Sequence, residues 1–199
     1  LALPVGVTGV SEIITNAGPA TFAANAQAIA TTAGVANASA LGVGYVQATS
    51  ASNVSLALTN TAAGSISVPV TATASGGDDA NAFGVGVGSV QVALATGAAT
   101  PTDPAVVDVT YANAGKVDVK VVSNASGANS ADAFAGAAGH VQIGTGADGV
   151  VSFSNTGTFG VSAEAKAVLG DATPTGAGNA LAGAVGYVGV AGGSYTGTG

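Results

Sequence analysis

Apolar and polar residues alternate along most of this chain with a period of two, the signature of strands with one buried face. Counting back by twos from four asparagine turns gives Ile14, Glu12 and Val10; Leu58, Leu56 and Val54; Tyr111, Val109 and Val107; and Phe153 and Val151. Glu12 is the one polar exception. Counting forward from the glycine of each turn gives a second strand. Its inward positions run Ala20, Phe22, Ala24, Ala26, Ala28; then Ile66, Val68, Val70, Ala72, Ala74; then Val117, Val119, Val121; then Phe159, Val161, Ala163, Ala165, Ala167 and Leu169. In three of these sets larger residues precede alanines, which predicts an interior that tapers, because protein interiors leave few voids. A third strand changes phase part-way. Phe83, Val85 and Val87 share one face, and Val90, Val92 and Leu94 share the other. Leu181 and Val185, followed by Val188 and Val190, repeat the shift. It falls at Gly88 and Gly186, predicting a bulge or corner.

The alternation belongs to an internal repeat. The turns read "NAG" at Asn16, "NTAAG" at Asn60, "NAG" at Asn113 and "NTG" at Asn155. A second anchor reads "GYVQ" at Gly44, "GSVQ" at Gly88, "GHVQ" at Gly139 and "GYVG" at Gly186, at spacings of 44, 51 and 47 residues. The chain is therefore a single repeat domain with approximate units 1–52, 53–104, 105–148 and 149–199. The loops "GAATPTDPA" (Gly97 to Ala105) and "GDATPTGAG" (Gly170 to Gly178) absorb the length differences. Alanine is the best helix former, so a helix over Ala20 to Ala40 has to be weighed. The matching segments of the other units are rich in Val and Thr, and repeats share one structure, so a strand is expected there too.

Four units of three strands predict an all-β fold, a repeat-built β-solenoid of about four coils with like residues stacked from coil to coil. The alternative is an antiparallel sandwich or prism, in which each Asn-x-Gly closes a hairpin within its own unit.

Composition narrows the function. Of 199 residues, 48% are hydrophobic and only 7% charged, and 32 are glycine. The net charge is −7. Lys116, Lys120 and Lys166 are the only cations, too few to displace counterions from nucleic acid or to hold an anionic membrane surface. The most apolar run, Asn179 to Gly193, is too short and too glycine-broken for a transmembrane helix, and the aromatic girdles of a membrane barrel are missing. Cysteine is absent, so disulfides and thiolate metal sites are excluded. The lack of an initiating Met points to a processed chain or a fragment.

The pattern "NxG-x-apolar-x-V-x-A-x-A", followed by an Ala/Asn stretch and "GxVQ", resembles the repeats of large bacterial surface proteins, the filamentous-haemagglutinin-like and autotransporter-passenger-like adhesins and fibre proteins. The likeness runs over nearly the whole chain. It implies export, a cell-surface or extracellular location, and a role in adhesion or fibre building, with no catalytic residues to carry over.

Candidate chemistry is sparse. His140 takes the position held by Tyr45, Ser89 and Tyr187 in the other units, which reads as a variable surface or groove position with no orienting partner. Asp78, Asp79 and Asp148 lie in glycine-rich turns. They leave Ca2+ open as a ligand, although the calcium-binding solenoid repeat is missing. No other cofactor is expected, and with neither an acid cluster nor arginine the chain is not read as an enzyme. Tyr45 and Tyr187 are a candidate ligand or assembly face, able to stack on a sugar. Thr71 and Thr73 form a Thr-x-Thr pair without a match in other units. Asn37, Asn53 and Asn124 sit in N-x-S sequons.

The expected function is that of a structural subunit of an extracellular bacterial filament or surface fibre, with itself as partner, joined head to tail through strand edges. The terminal units carry no charged or proline-rich cap, and the start "LALPVGVTGVSEII" could add a strand to a neighbouring subunit. The alternative is an adhesin passenger segment that binds glycan or a host surface.

Overall fold

The computed structural model describes residues 9–31, 33–96, 105–170 and 176–195. Among these there are strands and no helix. The first strands of the units are β1 (Val10–Asn16), β5 (Val54–Asn60), β8 (Val106–Asn113) and the second half of β10 (Ser130–Asn155). The second strands are β2 (Pro19–Thr21) with β3 (Ala24–Ile29), then β6 (Ser65–Ser75), β9 (Lys116–Gly127) and β11 (Thr158–Leu169). The third strands are β4 (Val35–Ala51), β7 (Asp79–Ala95), the first half of β10, and β12 (Gly178–Tyr195). The alanine-rich segment after Ala20 is thus strand.

The expected fold class needs correction. Every strand pairs in parallel with its counterpart in a neighbouring unit; within one unit Gly149 of β10 meets Tyr195 of β12, past a register shift. That overturns the antiparallel sandwich: Asn-x-Gly closes no hairpin and instead carries the chain from one sheet to the other. The four-coil solenoid is not what forms either. The first and third strands make one seven-stranded sheet, ordered β1-β5-β8-β10-β7-β4 with β12 also on β10, and the second strands make a separate five-stranded sheet. The parallel sheets form a curled half-barrel. β10, whose 26 residues run unbroken from the third strand of one unit into the first strand of the next, joins both sets in the larger sheet. Its pairing with β12 shifts register between Thr145 and Asp148. The expected unit boundary at 148/149 falls inside this strand. Residues 1–8 and most of both expected loops lie outside the described residues.

The main core lies between the second strands and the first halves of the third strands. Ile66, Val68, Val70, Val117, Val119 and Val121 fill it from one side, and Ala80, Ala82, Ala131, Ala133 and Ala135 from the other. The third strands therefore turn their small residues inward. The interior does not widen where the second strand is bulky. Glycine lies opposite instead: a Cβ on Gly86 would stand 2.7 Å from Val121 Cγ2, and one on Gly84 2.9 Å from Val121 Cγ1. Alanine meets alanine at the other end, so the two sheets keep close contact along their length without voids. A smaller cluster of Val54, Leu56, Val107, Val109, Ala51 and Ala93 joins the first strands to the second halves of the third.

The expected phase change is present as a bulge. Gly88 and Ser89 are consecutive and both buried, so burial passes from even to odd positions there. The same row explains the glycine. A Cβ on Gly44 would strike the carbonyl oxygen of Gly88, and one on Gly88 the carbonyl of Gly139. A Cβ on Gly139 would strike the Phe159 ring and stand 2.5 Å from the carbonyl of Gly186. Gly186, in the last unit, has no described atom within 4 Å of that position. Gly88→Ala is expected to cost about 1–3 kcal/mol, the usual penalty for overpacking, while Gly186→Ala leaves the folded chain's stability within about 0.5 kcal/mol of the parent. Denaturant melts of the two variants check the contrast.

Candidate functional site

The residues that mark the repeat form two rows of side-chain amides through the interior. Asn16 Nδ2 donates to Asn60 Oδ1 at 2.8 Å, Asn60 to Asn113 at 2.6 Å, and Asn113 to Asn155 at 2.6 Å. The same nitrogens donate to the backbone carbonyls of Ser65, Lys116 and Thr158, which tie the end of each first strand to the start of the next unit's second strand. The other row runs the opposite way. Gln142 Nε2 donates to Gln91 Oε1 at 3.0 Å, and Gln91 to Gln47 at 2.8 Å. These amides also reach carbonyls of the first strands, among them Ala57, Thr110 and Ser152. An amide carries donor and acceptor together, so it can repeat in a row where a carboxylate would repel its copy. The recurrence of "N-x-G" and "GxVQ" was the visible signal; the hydrogen-bonded rows behind it are not deducible from alternation.

Both rows end at open faces. In the fourth unit Gly189 stands where glutamine would follow Gln142. Gln142 Oε1 is buried and has no protein partner. A groove beside it is lined by Val151, Tyr187, Gly189, Val190 and Ala191. At the other end Asn16 Oδ1 accepts the hydroxyl of Tyr45 at 3.1 Å. Among the described residues no segment caps the core either. Phe22, Ala24, Ala26 and Ala28 of the first unit, and Phe159, Val161, Ala163 and Ala165 of the fourth, are only partly buried against it. The outward edges of β1, β3 and β4 at one end, and of β11 and β12 at the other, pair with no described strand.

Tyr45 and Tyr187 share a row but not a face. Tyr45 points inward and packs edge-on against Phe22 with centroids 5.2 Å apart. Tyr187 lies at the far end, stacked on Phe153 at 4.5 Å. Ser89 and His140 stand between them in the row, so the two tyrosines offer no common platform for a sugar ring.

His140 is not a surface position. It is fully buried, stacked on Tyr111 at 3.9 Å, with Nδ1 2.7 Å from Ser89 Oγ. Nε2 has no protein partner. Burial holds its pKa down at about 3 and pushes the Tyr111 hydroxyl up to about 12. The sequence hides this environment, because Tyr, Ser and His alternate at one position and read as a tolerant surface. Ser89 is buried beside His140.

The acids stay apart. Asp78 accepts from Asn129 at 3.2 Å, and among the described residues no three His, Cys, Asp or Glu side chains gather as a metal site. The three lysines lie on the outer face of the five-stranded sheet, where Lys116 meets Asp118 at 3.3 Å in an exposed pair of little energetic weight. Among the described residues no helix is long and apolar enough to cross a membrane.

Asn60→Ala removes the centre of the asparagine row and takes one amide partner from each of Asn16 and Asn113 and a donor from the Lys116 carbonyl; a loss of about 2–3 kcal/mol is expected in denaturant melts. His140 stays neutral in the folded chain while the unfolded chain takes up a proton below about pH 6.5, the ordinary histidine value. Its contribution is therefore whole above that pH and falls as pH drops from there toward 3, by at most about 1.4 kcal/mol per unit. Melts between pH 7 and 5 should show this slope, and His140→Phe should flatten it.

No protein-family model, no curated protein and no solved structure matches the chain.

Proposed function

We propose that this chain is a structural subunit of an extracellular filament or surface fibre that grows by stacking copies end to end. The observation that supports it is the core of the described residues: at both ends partly buried apolar side chains, and strand edges that pair with no described strand, continue the interior outward. Soluble proteins normally cap, charge or shorten such edges. Stacking in the register used inside the chain would set β1 of one copy beside Gly149–Asn155 of the next, with Asn155 following Asn16 in the asparagine row. The contact is heterologous and does not close, so it generates a filament. Location outside the cell, and the resemblance to adhesin and fibre repeats, belong to the same proposal.

Gly186 supplies a test. In the isolated chain a methyl group there meets no described atom, but in a stacked pair it would strike the carbonyl of the next copy's Gly44, as Gly139 would strike that of Gly186. Electron microscopy of the purified protein is expected to show filaments with an axial subunit repeat of about 19 Å, four strand spacings. Gly186→Ala is expected to fold with the parent's melting behaviour and to form none. A parent that stays monomeric when concentrated, or filaments unaffected by Gly186→Ala, would sink the reading.

A further inference from the structure

The outer face of the third strands is largely apolar in all four units, apart from the polar row Asn37, Asn81, Asp132 and Asn179 at one end and Ser39 and Ser50 in β4. The in-register row Val46, Val90, Val141 and Val188 runs across it. Val46 is 56% exposed and Val188 39%. On the other side of the bulge Phe83 and Phe134 stack at 4.9 Å, with Leu181 beside them 63% exposed. Between Phe83 and Leu94, and between Phe134 and Thr145, neither strand has a charged residue. The acids Asp79, Asp132 and Asp148 lie at the margins. The outer faces of the second strands are mostly Ser, Thr, Asn and charged residues, and those of the first strands mostly Ser, Thr and Asp, with scattered apolar positions such as Ile13, Ile29, Val150 and Val168.

We infer that this face is an interface with the same face of a second copy of the chain, distinct from the end-to-end contact. The size is close to what is needed. Four strands at about 4.8 Å spacing, each contributing about 12 residues at about 3.3 Å, give a face of roughly 760 Å². A stable pair needs about 800 Å² from each partner. The chemistry fits too. Rows of valine at pleat spacing interdigitate with rows of the same kind when sheets pack face to face, and a charge-free centre inside a polar rim is the anatomy of a protein interface. A lipid surface fits less well: the three lysines that would meet headgroups lie on the opposite side of the molecule, and tryptophan is absent. The inference stands independently of filament growth, because it concerns a lateral face that end stacking leaves uncovered.

The test uses the Gly186→Ala chain, so that end contacts do not contribute. Sedimentation equilibrium is expected to show a dimer at micromolar concentration. Val90→Glu with Val141→Glu should weaken it at least about 10-fold, and Thr71→Glu on the opposite face should leave it intact. The chain has no cysteine, so Val90→Cys can be joined to its counterpart by a short bis-maleimide, and Thr71→Cys should not be. This crosslink decides the matter if the glutamate variant fails to fold. A monomer at about 100 μM, a dimer indifferent to the glutamates, crosslinking equal at both positions, or flotation of the monomer with phosphatidylcholine vesicles would each overturn the inference.

Discussion

Each residue in this protein has to tolerate a near copy of its own environment one strand spacing away. Parallel, in-register pairing between units places the equivalent positions of neighbouring units about 4.8 Å apart, and much of the sequence follows from that constraint. Apolar residues satisfy it by contact. Amides satisfy it by donating to the next copy and accepting from the last. Charges do not satisfy it, and the low share of charged residues, 7%, is a consequence. In the paired strands Asp118 lies beside Ser67 and Gly160, Lys120 beside Pro69 and Ser162, and Asp132 beside Asn81 and Asn179. None of these charges sits next to another, because like charges at that distance would destabilise the pairing.

The same constraint accounts for the glycines at the bulge. An extra residue turns the backbone so that a Cβ would project along the stack instead of away from it, and the neighbouring unit's carbonyl occupies that space. The two halves of the third strand can then face different neighbours, the second strands and the first strands, while one outer surface continues across the bulge. That surface keeps the bulky residues that the narrow interior cannot hold.

Much of this was legible in the sequence. The period of two located the strands, and the phase shift at Gly88 located the bulge. What alternation does not specify is the partner of a strand: a hairpin within a unit and a parallel ladder between units need the same inward residues. Nor does it show which face is the inner one when one side is Ala80, Ala82 and Gly84 and the other is Phe83, Val85 and Val87. Size suggests the latter, yet the former is buried, because the facing valines leave room for nothing larger. His140 was obscured for a related reason. A position that is buried as Ser89 and His140 in the inner units but holds partly exposed tyrosines at the two ends looks like a surface when the units are compared one against another. The candidate face at Tyr45 and Tyr187 dissolved because equivalent positions in a stack are separated by the units between them.

The backbone hydrogen bonds between units all point along the stacking direction, whereas the covalent chain runs across it. Tension applied along the stack therefore loads the three ladders at each junction together rather than one bond after another. Such a body resists stretching as a bundle of bonds in parallel, and yields most readily where a single strand can be peeled sideways from an end.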